Sequence, residues 1–215
     1  MIKKVVSAIL LTAVAFTAAA ENVLDLGATR INSDSTTATL SIKSRFQGSV
    51  IEPRFEIDYI YQSQNGDTIK DRLDFLAAAD RPVSDRFYLQ GALRYEHDDL
   101  RHHREKYVAT AGLGVRVIES DSLTVNYEIA PGYQFYEPQD TAMVRNSLAA
   151  RYQFSSGVAV SNNTTVESGG DDTYVRNVTE VSTKLSDNLS LVFDHTYRRE
   201  TETDNITGIK LRIAF

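Results

Sequence analysis

Three of the four histidines, His97, His102 and His103, stand in one short stretch among Asp98, Asp99 and Glu105. Imidazole and carboxylate together suit a divalent cation. His102 and His103 are adjacent, however, a spacing that rarely brings both rings to one ion. A solvated charged loop touching divalent-bridged lipopolysaccharide is the favoured reading over a dedicated metal site, and no residue set calls for a cofactor. The fourth histidine, His195, could be imagined beside Ser147 or Ser190 as part of a hydrolytic constellation, which needs a serine, a histidine and an orienting group that converge. No nucleophile motif surrounds either serine. In an extended chain both serines fall on the opposite side from His195, so no enzyme is expected.

The commonest chemistry in the chain is charge at alternate positions. Glu56, Asp58, Arg72, Asp74, Arg94, Glu96, Arg116, Glu128, Arg145, Arg151, Glu167, Arg176, Glu180, Lys184, Asp194, Arg198, Lys210 and Arg212 each alternate with apolar neighbours. Both signs occur in comparable numbers. Such side chains could line an aqueous lumen as an open channel, or bridge across it and plug it.

The elements that would carry them are strands. Residues 206–215 place Ile209, Leu211, Ile213 and Phe215 on one face and Gly208, Lys210, Arg212 and Ala214 on the other, with a period of two. In an outer-membrane barrel such a closing strand turns aliphatics to lipid and polar groups to the lumen. Before it, strand-length runs recur at residues 22–31, 38–46, 55–62, 72–79, 87–96, 107–117, 123–135, 144–154, 158–168, 174–185 and 189–198. Asn65-Gly66 marks one hairpin strongly. Pro131 with Gly132 predicts a bulge or kink. Residues 158–168 are the least apolar run, because Asn162 and Thr164 fall on the side assigned to lipid.

These runs predict an all-β fold, a single antiparallel transmembrane β-barrel of about twelve strands with both termini periplasmic, spanning residues 21–215. The even count makes residues 47–49, 80–85, 119–122, 155–157 and 186–188 the periplasmic turns. The longest connection, residues 96–106, falls outside. Phe46, Phe87, Tyr152, Phe154 and Phe215 gather near one rim, and Tyr61, Tyr95, Tyr107, Tyr133, Phe135 and Tyr197 near the other, as two aromatic girdles. A secreted or periplasmic soluble β-sandwich or barrel also alternates apolar with polar residues. Its packed core would use Trp or bulky aliphatics densely, whereas Ala, Gly and Tyr are frequent here and Trp is absent.

Residues 1–20 read as a cleaved secretory signal. Lys3 and Lys4 open it, an apolar run follows, and Thr17-Ala18-Ala19-Ala20 forms the small-residue exit. Losing it takes the formal charge from −6 to −8. An acidic protein with dispersed basic residues argues against a nucleic-acid partner. The chain has no cysteine, so neither a lipid anchor on cysteine nor a disulfide is open to it.

Asn126-Tyr127-Glu128-Ile129-Ala130-Pro131-Gly132-Tyr133-Gln134-Phe135-Tyr136, then Val166-Glu167-Ser168-Gly169-Gly170-Asp171-Asp172-Thr173-Tyr174, then the run from Leu211 to Phe215 resemble the bacterial family of salt-induced outer-membrane proteins, long catalogued as a domain of unknown function. The chain departs from that pattern in lacking Trp and in its short N-terminal lead. The resemblance implies an outer-membrane barrel and brings no catalytic residues. It also implies that Phe215 serves as a closing-strand signal to the barrel-assembly machinery. A monomeric small pore or structural barrel with a charge-lined lumen, set among lipid and lipopolysaccharide, is the function expected.

If the faces are assigned correctly, Leu113→Arg moves a charge into the lipid-facing band and costs roughly 2–4 kcal/mol. Gly112→Ser, on the other face, is expected to cost far less. Urea midpoints of the two variants refolded into vesicles measure the difference.

Overall fold

The computed structural model describes residues 20–31, 35–46, 50–99, 105–136, 140–170, 172–200 and 203–215. The expected signal up to Ala19, the turn at residues 47–49, and His102 and His103 lie outside the described residues. The elements are β1 (Ala20–Ile31), β2 (Ser35–Phe46), β3 (Glu52–Gln64), β4 (Asp67–Pro82), β5 (Phe87–Asp98), β6 (Glu105–Glu119), β7 (Leu123–Phe135), β8 (Thr141–Gln153), β9 (Val158–Gly169), β10 (Asp172–Lys184), β11 (Leu189–Arg199) and β12 (Thr203–Ala214). Each pairs antiparallel with its neighbours in the chain, and β1 pairs with β12, closing the sheet into a barrel. Ala20 and Phe215 therefore lie at one rim, here the terminal rim, with the 83–86, 120–122, 154–157 and 185–188 connections. Asn65, Gly66, Asp99, Tyr136 and Asp140 lie at the distal rim.

Alternation decides which side chain goes where. Leu93, Leu113, Phe193 and Ile209 point outward at 63%, 55%, 52% and 54% exposure, while Val192 and Arg198 point inward at 0% and 1%. An outer surface made of large exposed aliphatics belongs in hydrocarbon, where a closed sheet is the only strand arrangement that leaves no long edge unpaired. Tyr95 meets Tyr107, and Tyr133 meets Phe135, each at 4.9 Å near the distal rim. Tyr152 meets Phe154 at 4.6 Å near the terminal rim. Asn65 and Gly66 make the two-residue hairpin with φ of 55° and 90°, the doubly positive turn that asparagine and glycine tolerate.

Three local expectations are overturned. Of the bulge or kink expected at Pro131, the bulge is not there: the register between β6 and β7 shifts between Arg116 and Ile118, close to their turn. Around Pro131 the register holds from Thr110↔Gly132 to Leu113↔Ile129. The missing proline N–H interrupts the ladder there without inserting a residue. The strands also run further than their apolar residues suggest. β4 continues to Pro82, β5 to Asp98, and β6 begins at Glu105, so the long connection is residues 99–104. Finally, Gly112 is not a tolerant site. A Cβ there would stand 2.1 Å from the Ile129 carbonyl oxygen and 2.5 Å from Ala130 Cα. Gly112→Ser must push β6 and β7 apart, so its cost is not small.

Asn162 and Thr164 do face outward, and the structure shows how. The Asn162 amide donates to Thr179 Oγ1 at 2.8 Å and to Asn177 Oδ1 at 3.3 Å. Asn177 donates to Thr164 Oγ1 at 2.7 Å and to Asn162 Oδ1 at 3.2 Å. Thr164 donates to Asn162 Oδ1 at 3.0 Å and Thr179 to Asn177 Oδ1 at 3.2 Å. All four side chains are thereby saturated by one another across β9 and β10, which is what an outward polar residue needs where water is absent.

Breaking this ring from one side strands its partner. Asn162→Ala or Asn177→Ala alone is expected to lower barrel stability by about 1–3 kcal/mol, and the double variant by much less than the sum. Urea midpoints in lipid vesicles give the cycle; strictly additive losses would show that the four side chains do not act together.

Candidate functional site: the charge-paired lumen

The inward positions of twelve strands converge on a lumen narrow enough for long side chains to meet across it. Toward the distal rim, Arg198 of β11 bonds Glu96 of β5, and these strands are six places apart in a ring of twelve, so the pair spans the diameter. Both residues are buried, at 1% and 4% exposure. Arg198 also lies 3.5 Å from Glu200, which accepts from Lys106 at 2.6 Å. Lys70 pairs with Asp204 at 2.6 Å, and Arg72 with Asp74 at 2.7 Å. Tyr174 sits in the middle, with Arg94, Arg198 and Lys106 at 4.9, 5.1 and 5.4 Å from its ring centre. Three cations on one aromatic ring, each with an acid of its own, make a buried, ion-paired layer across the bore.

Glu200 stands just beyond β11. Burial pushes its carboxyl up, but Lys106 and Arg198 override this, and its pKa lies below the ordinary carboxylate value. The stability it contributes is therefore present above the unfolded value and is lost only as pH falls through the depressed one.

On the terminal side of this layer the packing loosens. Glu128 accepts from Tyr88 Oη at 2.9 Å and from Gln90 Nε2 at 2.8 Å, and lies 3.4 Å from Arg145 and 3.6 Å from Arg54. Tyr88 reaches it by lying over Gly114, where a Cβ would come within 2.0 Å of the ring. Beside this hub is a cavity of about 200 Å³, whose lining includes the charged Arg54, Glu56, Arg94, Arg145, Glu167 and Arg176 and the neutral Asn126, Ser147, Asn163 and Thr165. It extends to Arg45 and Glu52 at the terminal end of β2 and β3. A second cavity of about 240 Å³ adjoins it through Glu56, Asn126, Asn163 and Arg176.

The remaining charged positions pair both across the lumen, as Arg94 of β5 with Glu167 of β9 and Arg176 of β10 with Asp58 of β3, and between nearby strands. Arg94 meets Glu167 at 2.6 Å, Arg176 meets Asp58 at 3.5 Å, and Glu56 meets Lys43 at 3.0 Å. Arg212 bonds Asp25 at 2.7 Å and Glu180 at 2.9 Å, and Lys210 lies 3.0 Å from Asp194. Arg116 donates to the Asp85 carbonyl at 3.0 Å. Arg151 and Lys184 are exposed near the terminal rim, where Arg151 reaches Gln153 at 3.3 Å and Lys184 reaches Asp187 at 3.3 Å.

Lys70, Lys106, Glu200, Asp204 and Tyr174 were not legible as lumen residues. The four charges sit in stretches that read as loops or turns, and only the parity of Tyr174 with Arg176 could have pointed to its direction.

Of the histidine-rich stretch, His97, Asp98, Asp99 and Glu105 are among the described residues. His97 Nε2 lies 3.2 Å from Asp99, and its Nδ1 lies 3.9 Å from Glu105. Asp98 is buried on the opposite, inward side of β5. Among the described residues no three metal-binding side chains converge. Ser147 shares a hydrogen bond of 3.0 Å with Thr165 inside the wall, whereas His195 bonds Thr207 at 2.9 Å outside it. Ser190 pairs with Arg212 in register, again on the inward side.

The layer's central pair can be tested by removing one partner or both. Arg198→Met leaves Glu96 buried without its partner and is expected to cost about 3–5 kcal/mol, whereas Arg198→Met with Glu96→Leu recovers most of that loss. Urea unfolding in vesicles measures both. A single-variant cost below ~1 kcal/mol, typical of an exposed pair, would contradict a buried layer.

Solved structures similar to this chain share its architecture at low identity. The NanC porin matches with a TM-score of 0.58 at 12% identity, over 89% of this chain and 97% of the porin. The KdgM porin matches at 0.55 and 12%, over 91% and 99%. An outer membrane channel from Pseudomonas putida F1 matches at 0.54 and 11%, over 93% and 96%. At such identities the likeness speaks for the barrel fold alone. No curated protein matches the chain. A family described as "Protein of unknown function, DUF481" matches residues 26–210, most of the length, and the chain belongs to that family.

Proposed function

We propose that this protein is a small outer-membrane pore that is closed at rest by the side-chain layer across its own lumen. The observation that carries this is the juxtaposition of the diametric Arg198–Glu96 pair with polar cavities on one side of it. A barrel serving only as a membrane anchor has no need of a charge-lined chamber beneath a buried ion-paired layer. The chamber offers guanidinium, carboxylate, amide and hydroxyl groups together, which suits a small hydrophilic solute. The outward aliphatic belt and its aromatic rims support placement in a bilayer. The signal-like residues 1–20 support export, and the short connections beside Phe215 support a periplasmic terminal rim. In this reading the barrel acts as a monomer among lipid and lipopolysaccharide after insertion by the assembly machinery, with Phe215 as its signal.

Single-channel recording in a planar bilayer tests the pore. The unaltered barrel is expected to show little current, and a barrel carrying Glu96→Ala, Tyr174→Ala and Arg198→Ala a sustained one. A folded triple variant that passes no ions would overturn the pore in favour of a structural barrel.

A further inference from the structure

The chamber on the terminal side of the layer runs against the charge of the chain. The formal charge of the whole sequence is −6, yet the wall of the cavity of about 200 Å³ carries six arginines and five carboxylates. Three of those carboxylates have close partners: Glu167 with Arg94 at 2.6 Å, Glu52 with Arg45 at 3.0 Å, and Glu56 with Lys43 at 3.0 Å. Arg176 is balanced from outside this wall, by Asp58 at 3.5 Å. What is left is Asp80 and Glu128, facing Arg54 of β3, Arg116 of β6 and Arg145 of β8.

These three guanidinium groups share their two acids loosely. The oxygens of Glu128 already accept from Tyr88 and Gln90, and Arg145 and Arg54 stand off from it at 3.4 and 3.6 Å. Arg54 is no closer to Asp80, again 3.6 Å. Arg116 donates to the Asp85 carbonyl and lies over the Tyr88 ring at 5.7 Å, with no carboxylate at ion-pair distance among the described residues. In the layer, by contrast, Lys70 and Lys106 hold their acids at 2.6 Å. Arg54, Arg94, Arg145 and Arg176 also each bury an Nε–H without a partner among the described residues. The wall is short of acceptors as well as of negative charge.

We propose that this chamber is a binding site for a small hydroxylated carboxylate, whose charge is taken up by Arg54, Arg116 and Arg145 around Glu128. Guanidinium in a narrow lumen is costly while incompletely neutralised, and its planar fork matches a carboxylate. The surplus on the wall is a single positive charge, which one carboxylate balances. A phosphate, carrying about −1.5 to −2, would overshoot it beside Glu128 and Asp80. Asn126, Ser147, Asn163 and Thr165 offer amides and hydroxyls to the rest of the ligand. The cavity is smaller than the roughly 300–1,000 Å³ of sites for drug-sized ligands, so the ligand is small. Its way in is the terminal end, where the cavity reaches Arg45 and Glu52. That the ligand is also the transported solute rests on the pore reading above; its binding does not.

Titration calorimetry on the refolded full barrel in detergent tests the site with gluconate, a hydroxylated carboxylate, against sorbitol, the uncharged polyol of the same length. Gluconate is expected to bind and sorbitol not. Arg145→Gln is expected to weaken gluconate about tenfold or more, the loss of one charge-assisted bond. Arg116→Gln, which leaves Glu128 with its present partners, is expected to do the same and carries the test if Arg145→Gln fails to fold. No binding of gluconate, equal binding of sorbitol, inorganic phosphate bound more tightly than gluconate, or undiminished affinity in folded Arg116→Gln would each overturn the site. The layer-free triple variant is recorded alongside. If it conducts but gluconate does not bind, the site is wrong and the pore stands. If it is folded and silent while gluconate binds, the pore falls and the site stands.

Discussion

Hydrocarbon supplies no hydrogen bonds, so every polar group in the wall must find its partner within the wall. The rest of the structure follows from that. It closes twelve strands on one another and assigns alternate residues to two environments that exchange nothing. The rule reaches side chains as well as backbone. Where Asn162, Thr164, Asn177 and Thr179 face outward they saturate each other. Tyr127 likewise donates to Asn146 at 2.7 Å, and His195 meets Thr207 at 2.9 Å. An outward polar residue is tolerated here when its bond runs across the seam between two strands.

Inside, the same demand produces a different result. Lumen residues are charged, the bore is small, and a buried charge without a partner is more costly than a buried pair. Side chains therefore reach across to one another, and the lumen is divided rather than lined. Arg198 and Glu96 meet across the diameter, Tyr174 gathers three cations, and the terminal half keeps its cavities. Ion pairs of this sort add little net stability compared with apolar packing. Their consequence is a defined arrangement, one that holds particular strand ends in place.

Strand parity was legible in the sequence because it depends on neighbours two residues apart. Leu113 outward and Glu128 inward follow from period alone, as does the Asn65-Gly66 hairpin from its turn chemistry. What depends on distant partners was not legible. Arg198 and Glu96 are separated by 102 positions, and nothing local to either names the other. Lys106 and Glu200 resemble loop residues by composition, yet they project into the lumen because the surrounding strands run on past their apolar stretches. Gly112 looks like a neutral inward position until the Ile129 carbonyl is placed beside it. Pro131 carries a real local signal, a missing donor, but the neighbouring ladder absorbs it without a bulge.

The claim on which the account rests is that one ion-paired layer divides the lumen, and the accessibility of a single thiol tests it most directly. Asn163 lines both cavities, on the terminal side of the layer. In barrels inserted unidirectionally into vesicles, Asn163→Cys is predicted to react with a membrane-impermeant thiol reagent supplied from the face that carries Phe215, and to be protected from reagent supplied at the distal face. Equal reaction from both faces would mean a continuous bore and contradict the account.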